Sequence, residues 1–197
     1  MIRLNIQAGK EADANNPNAM HKHGIYYYDR STLKRVDPTV SSTNKAGGFG
    51  AAVLQSVTYG ISKSKIKSNL SGNKSRLQIS RGNPEFYFYF KSDENASADS
   101  WFFATGTSPN EFVMVKLDKK KDSREMVVGD MNAYGSSTGV PNKLKVSFEY
   151  SEVNEEIYKV TFNESLKEGE YCFLYASTTP SRYNNNKVFD FGIQNSQ

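Results

Sequence analysis

The chain has 197 residues, 37% hydrophobic and 13% aromatic, with a formal net charge of +4. That length can bury a core without metal or disulfide support, and the single cysteine, Cys172, excludes an intramolecular disulfide. The mild, interspersed charge excludes a polycation, and no run approaches the roughly 20 apolar residues of a membrane-spanning helix.

Residues 1–23 are polar, rich in Asn and Ala, and read as a flexible arm. They hold no apolar run of the kind a signal peptide needs. His21 and His23 in "HKH" are the only histidines, too few for a metal site or a hydrolytic triad without distant help. "GIYYYD" (24–29) reads as a strand with a hairpin return at Leu33–Val36. Residues 24–60 then form an N-terminal hairpin and loop layer. Within it "GGFGAAVL" (47–54) lacks the Lys-Ser/Thr ending of a phosphate loop and reads as a connection.

A β-sandwich is expected over 61–197. In "ISKSKIKS" (61–68) Lys63, Lys65 and Lys67 share one face of a strand. This ridge would be joined by Lys74, Arg76 and Arg81 if 61–68 pairs with 76–80. The favoured reading is a charged edge strand protected against aggregation, so nucleic acid is not an expected partner. In "NPEFYFYFK" (83–91) every residue between Glu85 and Lys91 is aromatic. Alternation sends Phe86, Phe88 and Phe90 to one face, expected to be the core, and Tyr87 and Tyr89 to the other. The two tyrosines are either covered by the N-terminal layer, whose "GIYYYD" brings matching rings, or offered to a ligand or partner.

Further along, "SPNEFVMVKLD" (108–118) and "REMVVGD" (124–130) read as hairpin partners. "KLKVSFEY" (143–150) alternates cleanly, with Leu144, Val146, Phe148 and Tyr150 expected to point inward. "EIYKVTF" (156–162), "EYCFLYA" (170–176) and "KVFDFGI" (187–193) follow, the last two expected to pair. Short strands with turn signals and no capped 3.6-residue period indicate an antiparallel all-β fold. In "SLKEGEYCFLY" (165–175), Leu166, Gly169 and Tyr171 resemble the tyrosine corner of immunoglobulin-like sandwiches, in which the tyrosine hydroxyl bonds backbone a few residues upstream.

The series "PEFYFYF", "SPNEFVMVKL", "REMVVG", "YGSSTGV", "LKEGEYCFLY" and "KVFDFGI" resembles a family of uncharacterised bacterial proteins, many of them exported, over residues 60–197. The resemblance implies no activity and carries over no functional residue. It suggests a cell-envelope or secreted location if a leader has been removed, and a cytoplasmic one otherwise. The expected fold is therefore an antiparallel immunoglobulin-like β-sandwich with an N-terminal extension. The expected function is a non-catalytic binding or structural module with a glycan or protein partner. A polysaccharide- or peptidoglycan-acting hydrolase and a subunit of a larger assembly are the alternatives. Trp101, Tyr134 and Tyr183, near loops, are the candidate contact residues together with Tyr87 and Tyr89; no cofactor or metal is expected.

Overall fold

A computed structural model describes residues 14–44, 64–90, 106–132, 135–176 and 187–194. The N-terminal strands are β1 (Gly24–Asp29), β2 (Thr32–Arg35), β3 (Pro38–Val40) and β4 (Ser42–Asn44). They are followed by β5 (Ser64–Ser71), β6 (Leu77–Ile79), β7 (Glu85–Tyr89), β8 (Phe112–Lys119), β9 (Ser123–Asn132) and β10 (Gly135–Thr138). The last five are β11 (Lys145–Val146), β12 (Glu149–Asn154), β13 (Ile157–Thr161), β14 (Gly169–Tyr175) and β15 (Lys187–Ile193). The described helical residues form only short 3-10 turns, such as Pro109–Glu111 and Asn142–Leu144.

These strands make two sheets, almost wholly antiparallel. One has five strands in the order β12–β13–β7–β1–β2. The other has ten, along the path β3–β15–β14–β8–β9–β5–β4, with β10, β11 and β6 attached to β9, β8 and β15. The β6–β15 pair is parallel. The expected pairing of 170–176 with 187–193 is present as β14 against β15.

The aromatic strand β7 lies at the centre of the five-stranded sheet, between β13 and β1. Phe86, Phe88 and Phe90 face the other sheet and are buried in the main core. Their rings meet those of the ten-stranded sheet at close range. Phe86 and Phe88 each stand edge-on to Phe173 at 5.2 Å, and Phe88 stands edge-on to Phe112 at 5.3 Å. Edge-to-face contacts suit the ring quadrupole, and each such pair contributes about 0.5–1.5 kcal/mol beyond its buried area. The N-terminal strands also supply this core, through Ile25, Tyr27 and Val36.

A second core lies on the opposite face of β8, β14 and β15. Val115, Leu117, Cys172 and Val188 there meet Leu70 of β5 and Met126 of β9. The cause is a hairpin that pairs only briefly. β9 is matched to β8 only at Asp118–Glu125 and Lys119–Arg124, whereas on its other edge it pairs with β5 along its whole length, from Ser123 to Met131. The ten-stranded sheet thus curls back over its own outer face. Inside this second core Arg124 donates to Asp190 and, at 3.4 Å, to Glu170. Its remaining donors reach Gly72 O at 3.0 Å and Ser71 O at 3.2 Å. Glu170 also accepts from Ser75 N at 2.7 Å, and Asp190 from the Thr39 hydroxyl. Buried charges survive where every partner is supplied in this way.

Two sequence expectations are corrected. The described part of strand 61–68, from Ser64, does not pair with 76–80. β5 lies between β9 and β4, while β6 joins β15, so no pairing brings Arg76 to the lysine ridge. The alternation of 143–150 does not mark one strand. Lys145–Val146 pairs with β8, the chain then crosses between sheets, and Glu149–Asn154 becomes the edge of the five-stranded sheet. Val146 and Phe148 pack on the core, whereas Leu144 and Tyr150 are exposed.

Candidate functional site

The crossing at Val146–Glu149 forms one wall of a cleft of about 580 Å³. The opposite wall is the turn Asn163–Lys167, which leads into β14. Hydrogen bonds hold this second wall. Leu166 N donates to Gly82 O at 2.7 Å and the Leu166 side chain enters the main core. Gly82 admits this approach because a Cβ there would collide with the Ser165 hydroxyl and sit 2.9 Å from Leu166 O. The Tyr171 hydroxyl donates to Lys167 O at 2.7 Å, the bond that the Leu-x-x-Gly-x-Tyr spacing predicts. Burial pushes the Tyr171 hydroxyl up from its ordinary value, which keeps it protonated as that donor.

Tyr171 stacks on Phe191 at 5.7 Å and 19°. On β8, directly opposite in register, Lys116 places its ammonium 5.5 Å from the Tyr171 ring centre and donates to Glu168 O at 3.0 Å. Gly169 makes room for it, at φ +153° and with a Cβ position blocked by the Lys116 side chain. Across the cleft Asn163 Nδ2 donates to Glu149 Oε1 at 2.7 Å. Glu164, Ser165 and Lys167 line the cleft, and Glu164 and Lys167 are exposed. The lining therefore has two ammonium groups, Lys116 and Lys167, and two carboxylates, Glu149 and Glu164, whose formal charges cancel. Hydroxyls of Ser147 and Ser165, the Asn163 amide and the ring of Phe148 complete it.

None of these residues stood among the contact candidates read from the sequence. Only the tyrosine corner marked the place, since it fixes the turn that forms one wall. Of the sequence candidates, Trp101, Tyr134, Tyr183 and Lys63 lie outside the described residues, as does "GGFGAAVL". Tyr87 and Tyr89 are described and do not offer a surface, being 5% and 1% exposed. They form a small outer core with Tyr26 and Ile157, flanked by Tyr28 and Leu33. Residues 14–22, part of the segment read as a flexible arm, lie over it, and Tyr89 donates to Pro17 O at 2.6 Å.

The lysine strand is not the free edge expected of it, because β4 pairs with it over Lys67–Asn69. Lys65 is exposed, but Lys67 is paired with Glu125 at 2.9 Å, and a register shift separates Ile66 from Lys67. His21 packs against the rings of Tyr89 and Tyr26 at 5.2 and 5.7 Å. Among the described residues no three His, Cys, Asp or Glu side chains group as metal ligands. Burial pushes the Cys172 thiol far above its ordinary value, a setting that suppresses thiolate chemistry. A search against models of known protein families finds no match to the chain, and a search of curated protein sequences finds none.

Proposed function

We propose that the protein is a non-catalytic binding module and that the cleft between Val146–Glu149 and Asn163–Lys167 takes a hydroxyl-rich ligand, an oligosaccharide. The carrying observation is the lining. Donors and acceptors both line a volume of about 580 Å³, and the four charged groups sum to zero. A sugar hydroxyl both donates and accepts, so it matches a mixed ring of ammonium, amide, hydroxyl and carboxylate groups. A phosphate or polyamine would meet as much repulsion as attraction there. Phe148, which lines the cleft, adds apolar contact for a sugar ring.

The corner at Tyr171 and the antiparallel β14–β15 pair support an immunoglobulin-like reading of the fold. The resemblance to exported bacterial proteins adds the cell envelope or surface to the proposal. The second reading, a polysaccharide- or peptidoglycan-acting hydrolase, draws on one observation, that Glu149 and Glu164 line the same cleft. Acid–base cleavage needs both carboxylates for protons and water, whereas Glu149 is engaged by Asn163.

The test is a glycan array probed with the chain and with Asn163→Ala/Lys167→Ala, followed by product analysis of every bound glycan. Retained glycans without cleavage, lost in the double variant, support the module. Release of shortened glycans favours the hydrolase, and binding unchanged in the double variant removes the cleft from the proposal.

A further inference from the structure

The outer face of the five-stranded sheet is built from Tyr26, Tyr87 and Tyr89, all buried, with Tyr28 and Leu33 beside them. What covers it is unusual in one respect. No residue from 14 to 23 is itself buried, and Met20 is 48% exposed. The cover is held through three backbone carbonyls and one side chain, Leu33 N donating to Asn15 Oδ1 at 3.3 Å. Tyr89 donates to Pro17 O at 2.6 Å and Tyr26 to Lys22 O at 3.0 Å. Asn154 Nδ2 donates to Asn18 O at 3.4 Å. The cover also has an internal fold of its own. Asn18 N donates to Asn16 Oδ1 at 3.0 Å, Ala19 N to Asn16 O at 3.1 Å, and His21 Nε2 lies 2.8 Å from Asn16 O. The result is a proline-containing turn that presents carbonyls and one imidazole ring to a tyrosine surface. The imidazole stands edge-on to Tyr89 at 5.2 Å and 81°.

We infer that this tyrosine face is a peptide-docking site, filled within the chain by residues 14–22. The ligand class is a short polar peptide with an Asn-Pro turn whose main-chain carbonyls take the Tyr26 and Tyr89 hydroxyls and whose aromatic or imidazole ring packs on Tyr89. A segment with no buried residue opens at a small cost relative to the sheet beneath it. Gly24, at φ +150°, joins it to β1 through a conformation that other residues rarely adopt. The site is separate from the cleft, and its test is independent of the oligosaccharide reading.

The experiment uses the full-length chain with residues 15–22 replaced by a Gly-Ser sequence of equal length. A fluorescent synthetic peptide of residues 14–23 is titrated into this variant, into the unaltered chain, and into the variant carrying Tyr89→Phe. The inference predicts saturable binding to the Gly-Ser variant, binding at least tenfold weaker to the unaltered chain, and a loss of roughly tenfold on Tyr89→Phe, the scale of one hydrogen bond. A folded Gly-Ser variant that ignores the peptide, or that binds a scrambled peptide equally well, overturns it. So does a Gly-Ser variant that fails to fold, because residues 15–22 are then part of the fold and not an occupant. Circular dichroism and thermal melting of the Gly-Ser variant, set against the unaltered chain, decide between those outcomes.

Discussion

At the scale of single residues, the most exacting position is Arg124. It is 2% exposed and holds two buried carboxylates, Asp190 and Glu170, together with two turn carbonyls. Replacing it with methionine leaves those carboxylates without their cation in an apolar layer. Arg124→Met is therefore expected to cost about 3–5 kcal/mol, read as a fall in the urea midpoint. The tyrosines make a second residue-level prediction. Burial pushes the hydroxyls of Tyr26, Tyr87, Tyr89 and Tyr171 up from their ordinary value near 10. A group whose value is raised by folding contributes stability that is full below its unfolded value and is lost as pH rises through the folded one. The urea midpoint should hold steady from pH 7 to about 9 and drop above about 10. Absorbance near 295 nm, which follows tyrosinate, should lag behind that of model tyrosine until the chain unfolds.

Among the elements, the turn before β14 carries most of the geometry of the cleft. Tyr171→Phe removes the bond to Lys167 O and should cost about 1 kcal/mol. Gly169→Ala should cost more, since it forces a side chain onto φ +153° and against Lys116. Parallel urea melts of the two variants give the order directly. This element was legible in the sequence because its hydrogen bond spans four residues and its glycine is required locally. The central place of β7 was legible for a similar reason: three phenylalanines on one face demand a core. The crossing at Ser147–Phe148 was not. Val146 before the crossing and Phe148 within it both pack on the core, so the two-residue period continues through it. The partner of β5 was equally hidden, because β9 lies more than fifty residues away in the chain and nothing in either strand's alternation names the other. The cleft itself went unread since Glu149, Asn163 and Lys167 are ordinary turn and surface residues until the fold gathers them.

At the scale of the whole molecule, the first strands are woven into both sheets. β1 lies between β7 and β2, β3 extends the other sheet beyond β15, and β4 pairs with β5. Ile25, Tyr27 and Val36 bury in the main core, and each such side chain contributes about 1.5–3 kcal/mol. Their sum is on the scale of a typical domain's net stability of about 5–15 kcal/mol. A fragment of residues 61–197 should therefore lack a cooperative thermal transition by calorimetry, whereas the full chain should show one. One wall of the cleft belongs to the crossing between sheets and the other to the turn pinned on Gly82. The measurement that bears most directly on the proposed function is amide chemical-shift mapping of the full chain with an oligosaccharide retained on the array. The account predicts shifts concentrated at Val146–Glu149 and Asn163–Lys167, with the oligosaccharide intact after prolonged incubation. Shifts centred elsewhere, or the appearance of cleaved product, would contradict it.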